Sequence, residues 1–245
     1  MKEIQNQRNM ADFKHFIFTR WNLLDSHTTI YNNPAVPDPE AWMEHRIKLF
    51  NEYCLPNMML QKGSFTWLLA FAPGTPKWIT DEYATFPHVK IIFEYPRDWL
   101  RRQPIKHGEW IITSRIDNDD TVSINYIERV QAQFNERVLL VDIDGVKRDL
   151  STGKYHTVER HSNNSPFISL IEQAGVKGTS ISNDPREREL FDDFNHNLRT
   201  VYYCSHSKLE WHFPSMKIQE KLYTMNLHSR NVINKLEGNE HEILP

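Results

Sequence analysis

The chain has 245 residues, a formal net charge of −3, and 39% hydrophobic, 12% aromatic and 25% charged residues. That length suits one α/β domain better than two independent ones, and the composition excludes a disordered or fibrous chain. A near-neutral balance lacks the Lys and Arg excess of a phosphate-backbone binder, so no nucleic-acid partner is expected.

Cys54 and Cys204 lie far apart without metal-type spacing, which fits a reducing, cytoplasmic setting and no disulfide framework. Met1–Met10 is polar, and no run approaches the roughly 20 apolar residues of a membrane span. A soluble protein is expected, with peripheral membrane attachment through an amphipathic patch left open.

In chain order, His15–Thr19 (HFIFT) is a β-favouring run that ends on Arg20, Trp21 and Asn22, a polar tip suited to a ligand-facing loop. Pro34, Pro37 and Pro39 break the next segment. Trp42, Ile47, Leu49 and Phe50 then recur near helical spacing, predicting a crossover helix that Pro56 ends or interrupts. Phe65–Phe71 reads as a buried second strand stopped by Pro73 and Gly74, and Val89–Phe93 reads as a third. Strands alternating with a helix predict a parallel α/β sheet. Arg97–Arg102 is the densest basic stretch and reads as a solvated helix face.

Trp110–Thr113 predicts a strand that runs into Ser114, Arg115, Ile116, Asp117, Asn118, Asp119 and Asp120. Acidic residues are thereby expected at a strand's C-terminal end, where open α/β sheets place ligands. Thr121 or Ser123 is expected to cap a helix with apolar positions at Ile124, Ile127, Val130 and Phe134. Val138–Ile143 predicts another strand, and Asp144-Gly145 a hairpin turn toward Tyr155–Val158. Ser180–Asn197 is polar and acidic, in the manner of a surface segment.

Asp117 and Asp119, one residue apart on a loop, can share a hard divalent cation through carboxylate oxygens, the chemistry that neutralises a diphosphate. Asp120 offers a third carboxylate for a ribose hydroxyl, a metal-bound water or a backbone amide. The same string also occurs in solvated turns; the strand before it and the helix behind it favour the metal reading.

Four blocks, His15–Leu23 (HFIFTRWNL), Thr113–Asp120 (TSRIDNDD), Ser165–Glu172 (SPFISLIE) and Met225–Asn231 (MNLHSRN), resemble the rhamnosyltransferase family of GT-A-type glycosyltransferases over most of the chain. The acidic block with its preceding Arg is the most specific. The resemblance implies a single GT-A-like, Rossmann-like α/β domain with a mostly parallel central sheet. A nucleoside-diphosphate sugar of UDP or dTDP type would lie over residues 13–135, and a glycan or other hydroxyl acceptor would meet residues 136–245. Mn2+ or Mg2+ would sit between protein and diphosphate. Asp119 would be the main metal ligand, Asp117 would face the metal or the ribose, and His228 would complete the metal site from a C-terminal extension. Imidazole in the set favours manganese.

The same resemblance brings Thr19 and Arg20 to the base or diphosphate, and puts Asp120 among the donor-binding groups. Arg115 would meet a phosphate or pair with Asp119 or Asp120. The chain departs from the family pattern at Phe71–Pro76, where Ala72 stands in place of an acidic residue and Asp81 is the nearest substitute. Transfer with inversion needs a general base. Glu172 is the first candidate, and it reads equally as the first exposed residue of a helix; Asp142 and Asp144 compete for the role. His156, His161, His206 and His212 read as surface histidines or acceptor contacts, and Trp99, Trp110 and Trp211 as core.

Two other readings stand beside this one. Val138–Val146 (VLLVDIDGV) resembles the first motif of haloacid-dehalogenase-type phosphatases, with Asp142 as nucleophile and Asp144 as acid-base. That motif normally opens its domain, and here more than half the chain precedes it, while Asp192-Asp193 lacks a clear strand. The other is a non-catalytic sugar- or nucleotide-binding protein, against which Asp119 and His228 both argue.

Overall fold

Consecutive rather than alternating buried side chains mark the first strand, β1 (Phe13–Arg20), in which His15 through Thr19 are all buried. A strand covered on both faces belongs at the centre of a layered sheet. The computed structural model, which describes residues 13–23, 28–158, 166–175, 200–201, 213–228 and 242–243, puts it there. β1 pairs in parallel with β2 (Thr66–Ala70) on one side and β4 (Trp110–Arg115) on the other, and β2 carries β3 (Val89–Ile92) in parallel at the edge.

Beyond β4 the sheet becomes mixed rather than mostly parallel. β8 (Ser169–Gln173) runs antiparallel to β4, and β6 (Leu139–Asp149) runs antiparallel to β8. β7 (Tyr155–Thr157) and β10 (Glu242–Ile243) extend that side antiparallel. β9 (Ser215–Leu227) pairs in parallel with β6 and antiparallel with the two-residue β5 (Thr121–Val122). Parallel neighbours need a crossover of about a dozen residues, which the N-terminal half supplies as helices; the short turn at Leu150–Lys154 permits only antiparallel return.

α1 (Pro39–Leu49) starts cleanly. Pro39 opens its first turn, and the Asp38 carboxylate accepts from Ala41 N at 3.0 Å. Pro56 does not end the pattern, because a π-helical turn at Phe50–Cys54 links α1 to α2 (Leu55–Met59), with the Leu55 N–H bonded to the Phe50 carbonyl. The wider turn takes up the register just where Pro56 has no N–H to offer. α3 (Lys77–Ala84) and α4 (Pro96–Arg101) follow β2 and β3. Among the described residues no helix is long and apolar enough to cross a membrane.

Two expectations fail locally. The helix after the acids, α5 (Tyr126–Gln131), begins later than predicted; Thr121 belongs to β5, neither Thr121 nor Ser123 caps the helix, and Ile124 is exposed. Asp144-Gly145 is no hairpin turn but the middle of β6, and the chain reverses only after Asp149.

Candidate active site

β4 hands the chain to the acidic loop at the C-terminal edge of the parallel block, and the Ile116 N–H still bonds the Phe18 carbonyl at 3.0 Å. Asp117 is the outermost acid. Its carboxylate accepts from Arg115 Nε and Nη2 at 3.2–3.3 Å, so Arg115 pairs with Asp117 instead of Asp119 or Asp120. Asn118 turns inward and donates to the Trp21 carbonyl at 2.8 Å, which ties the loop to the end of β1. From the other side β9 grips it: Asn226 N donates to Asp120 Oδ1 at 2.7 Å, and Asn226 Nδ2 donates to the Asp119 carbonyl at 2.8 Å.

Asp119 lies at the centre. Its Oδ2 is 3.0 Å from His228 Nε2 and forms an ion pair with Arg46. The other ring nitrogen of His228, Nδ1, is 3.2 Å from His45 Nε2. Arg46 also donates from Nη1 to Asn118 Oδ1 at 3.1 Å, and its guanidinium lies over the Trp42 ring at 5.0 Å. Three segments distant in sequence thus converge on one carboxylate: α1, the acidic loop and the end of β9.

The adjacent acids are pushed in opposite directions. Burial, and then the charges of Asp119 and Asp117, raise the Asp120 carboxyl well above the usual range. Burial also works against ionised Asp119, but Arg46 and then His228 outweigh it and hold that carboxyl low. Asp119 therefore presents the charge while Asp120 serves the backbone of β9. Cys54 Sγ, 3.7 Å from the Asp117 carbonyl, is buried; burial, then the acids, raise its pKa and keep it a thiol.

Asp119 and His228 offer a carboxylate oxygen and an imidazole nitrogen, 3.0 Å apart and in hydrogen-bond contact, and both are ligand types that a divalent cation accepts. Two ligands each about 2.1 Å from an ion, at right angles, stand about 3 Å apart, which is the spacing of Asp119 Oδ2 and His228 Nε2. Among the described residues no group of three or more His, Cys, Asp or Glu forms a metal cage.

Of the residues expected here from sequence, Arg115, Asp117, Asp119, Asp120 and His228 come together. Arg20 is half-buried at the end of β1. Thr19 is fully buried inside β1, and its hydroxyl accepts from Trp67 Nε1 at 2.9 Å. Glu172 is not where a base for this site has to stand. It is buried within β8 opposite Ile111, near the start of β4, and its carboxylate accepts from Thr200 N at 2.7 Å. At about 3.3 Å per residue that lies on the order of 13 Å below the level of Arg115.

Ala72 N donates to Asn22 Oδ1 at 2.7 Å, so the loop after β2 is held by an amide and not by an acid. Asp81 is on α3, paired with Lys77 in solvent. Asp142 and Asp144 sit in the interior of β6, with Asp144 3.3 Å from Lys217, and neither is at the strand end a phosphatase nucleophile requires. Trp110 packs edge-on against Phe134, and Trp99 against Phe16. His156 is half-buried on β7. Cys204, His161, His206, His212, Trp211, Asp192-Asp193, the segment 180–197, residue 165 of the third block and residues 229–231 of the fourth lie outside the described residues. Sequence reasoning missed His45, Arg46 and Asn226; the one available signal was Trp42 four residues before Arg46, a spacing that stacks on a helix.

The model of the family described as "Putative rhamnosyl transferase" matches residues 19–238. No curated protein matches the chain. Among solved structures, S. aureus TarS 1–349 is 12% identical with a TM-score of 0.45, over 87% of this chain and 60% of that one. TarS 1–349 in complex with UDP gives 12% and 0.42, over 88% and 61%. The inositol-1-phosphate CTP transferase from T. maritima gives 9% and 0.38, over 88% and 89%. The chain thus spans about 60% of the TarS 1–349 structures. The family match runs from Thr19 on β1, through the acidic loop, to beyond His228, and the chain belongs to this rhamnosyl transferase family.

Proposed function

We propose that the protein is a glycosyltransferase in which Asp119 and His228 hold a divalent cation, Mn2+ or Mg2+, against the diphosphate of a UDP- or dTDP-type sugar. The observation that carries this reading is the 3.0 Å approach of His228 Nε2 to Asp119 Oδ2 at the C-terminal edge of the parallel strands. Family membership supports the transfer of a sugar, rhamnose by its description. When bound, the cation supplies the positive charge that a departing diphosphate needs.

The chain's own residues do the rest. Asp119 is held ionised by Arg46 and His228, so it offers a carboxylate without first losing a proton. His228 presents Nε2 to the site while His45 meets its Nδ1, the kind of outer contact that fixes a ligating imidazole in one orientation. Asp117 is the outermost acid, partly exposed and paired with Arg115, and is suited to a ribose hydroxyl or a cation-bound water. A hydroxyl of a glycan or other acceptor then attacks the anomeric carbon from the face opposite the diphosphate, the bond from that carbon to the diphosphate oxygen breaks with inversion, and the hydroxyl proton passes to solvent water, since Glu172 does not stand at this site.

Calorimetric titration with UDP, dTDP and GDP, with and without Mn2+, tests the site. One diphosphate is expected to bind in a Mn2+-dependent way, and Asp119→Ala is expected to remove the dependence while leaving the protein folded. Unchanged Mn2+-dependent binding in Asp119→Ala sinks the assignment.

A further inference from the structure

Arg46 occupies the oxygen that the cation would need. Its guanidinium pairs with Asp119 Oδ2, the same atom that faces His228 Nε2, and its Nη1 also donates to Asn118 Oδ1. The side chain is only 14% exposed and lies over Trp42, and its Nε is buried with no hydrogen-bond partner among the described residues. A buried guanidinium leaves an N–H unbonded only at a cost, so its present pairing does not use all that it can donate. Arg46 and a divalent cation are both positive, and one carboxylate oxygen cannot hold the two at contact distance without strong repulsion.

We propose that Arg46 is a built-in counter-ion that a divalent cation displaces from Asp119, and that the released guanidinium binds the diphosphate arriving with that cation. The inference rests on the cation site proposed above. A phosphate oxygen on the same ion as Asp119 Oδ2 would stand about 3 Å from that oxygen, one ligand position away. Arg46 can therefore exchange a carboxylate oxygen for a phosphate oxygen with little travel, keeping Asn118 and Trp42 as anchors. Guanidinium geometry suits either partner. Two consequences follow from the competition. Cation alone binds weakly because it must break the Arg46–Asp119 pair. Cation and diphosphate bind cooperatively because the diphosphate gives the displaced charge a new partner.

The test measures Mn2+ affinity by calorimetry, with and without UDP, in the wild type and in Arg46→Met, which keeps an apolar chain over Trp42. In the wild type UDP is expected to tighten Mn2+ binding at least tenfold. In Arg46→Met, Mn2+ alone is expected to bind at least tenfold tighter than in the wild type, and the UDP effect to shrink toward none. Unchanged or weaker Mn2+ binding in folded Arg46→Met overturns the proposal. Should that variant not fold, Arg46→Lys carries the test: a compact ammonium loses the two-point grip on Asn118 and Asp119, so Mn2+ alone should bind at least threefold tighter, and no gain overturns it. Asp119→Ala separates the two ideas. If Mn2+ binding survives that change, the site assignment fails; if it is lost while Arg46→Met shows no gain, only the role of Arg46 fails. No Mn2+ binding to the wild type, with or without UDP, overturns both.

Discussion

Asn226 holds the acidic loop at three points. Its backbone N–H meets Asp120, and its side-chain amide donates to the Asp119 carbonyl at 2.8 Å and to Thr121 Oγ1 at 3.2 Å. Asn226→Leu would keep the first contact and remove the other two, leaving a buried carbonyl unpaired. A group orphaned in this way costs about 1–3 kcal/mol, so the unfolding free energy extrapolated from urea titration should fall by that amount; an unchanged value would mean that Asp120 alone anchors the loop. The acids themselves were legible because they are contiguous in the chain and follow a strand-like run. Their partners were not. Arg46 lies 72 residues before Asn118 and reaches it only through the packing of α1 against the acidic loop. Glu172 misled for a related reason: the apolar run before it fits a helix or a strand, and only pairing with β4 on one side and β6 on the other reveals a buried strand at the wrong end of the sheet.

At the scale of elements, β6 is the strand whose sequence says least about its course. Asp144-Gly145 is the commonest kind of two-residue hairpin signal, yet the chain continues through it, with the register against β9 shifting between Ile143 and Gly145. Tertiary packing supplies the reason. A Cβ on Gly145 would stand 2.5 Å from the Tyr223 ring, so glycine is needed for the close approach of β9. Tyr223 cannot easily give way, because it is buried and stacked on Phe167 with ring centroids 4.5 Å apart. Gly145→Ala is therefore expected to cost about 1–3 kcal/mol through overpacking, read as a lower thermal midpoint. Adding Tyr223→Leu should recover part of the loss, since the two changes meet at one contact. Strictly additive losses would place the strain elsewhere. The strands β1, β2 and β4, by contrast, were legible as short apolar runs because burial on both faces leaves no alternation to confuse, and the edge strand β3 was legible from its β-branched run alone.

The whole molecule is joined across its sheet by His15. The β1 imidazole sits 2.8 Å from Ser114 Oγ on β4 and 3.2 Å from Gln131 Nε2 on α5. Ser114 Oγ in turn meets Ser169 Oγ on β8 at 2.6 Å, and Tyr126 of α5 reaches the same hydroxyl at 3.2 Å. The parallel block and the antiparallel strand added to it thus share one polar chain inside an apolar interior. This junction could not be read in advance, since it depends on β8 entering antiparallel beside β4, a pairing that local sequence does not specify. Gln131 offers an amide N–H to Nδ1, so Nδ1 accepts and Nε2 carries the proton toward Ser114, and a second proton on the ring would face a donor. Burial pushes His15 from 6.5 down to about 3. In the unfolded chain the imidazole takes up a proton below its ordinary pKa, while the folded one stays neutral until about 3. Its contribution is therefore fully present above pH 6.5 and is lost as pH falls through that window, at up to about 1.4 kcal/mol per unit. Between pH 7.5 and pH 5.0 the wild type should lose about 2 kcal/mol from this group. His15→Gln, which keeps an amide between Ser114 and Gln131 but does not titrate, should show a flatter dependence of urea midpoint on pH; equal slopes for the two proteins would remove His15 as the source of acid sensitivity.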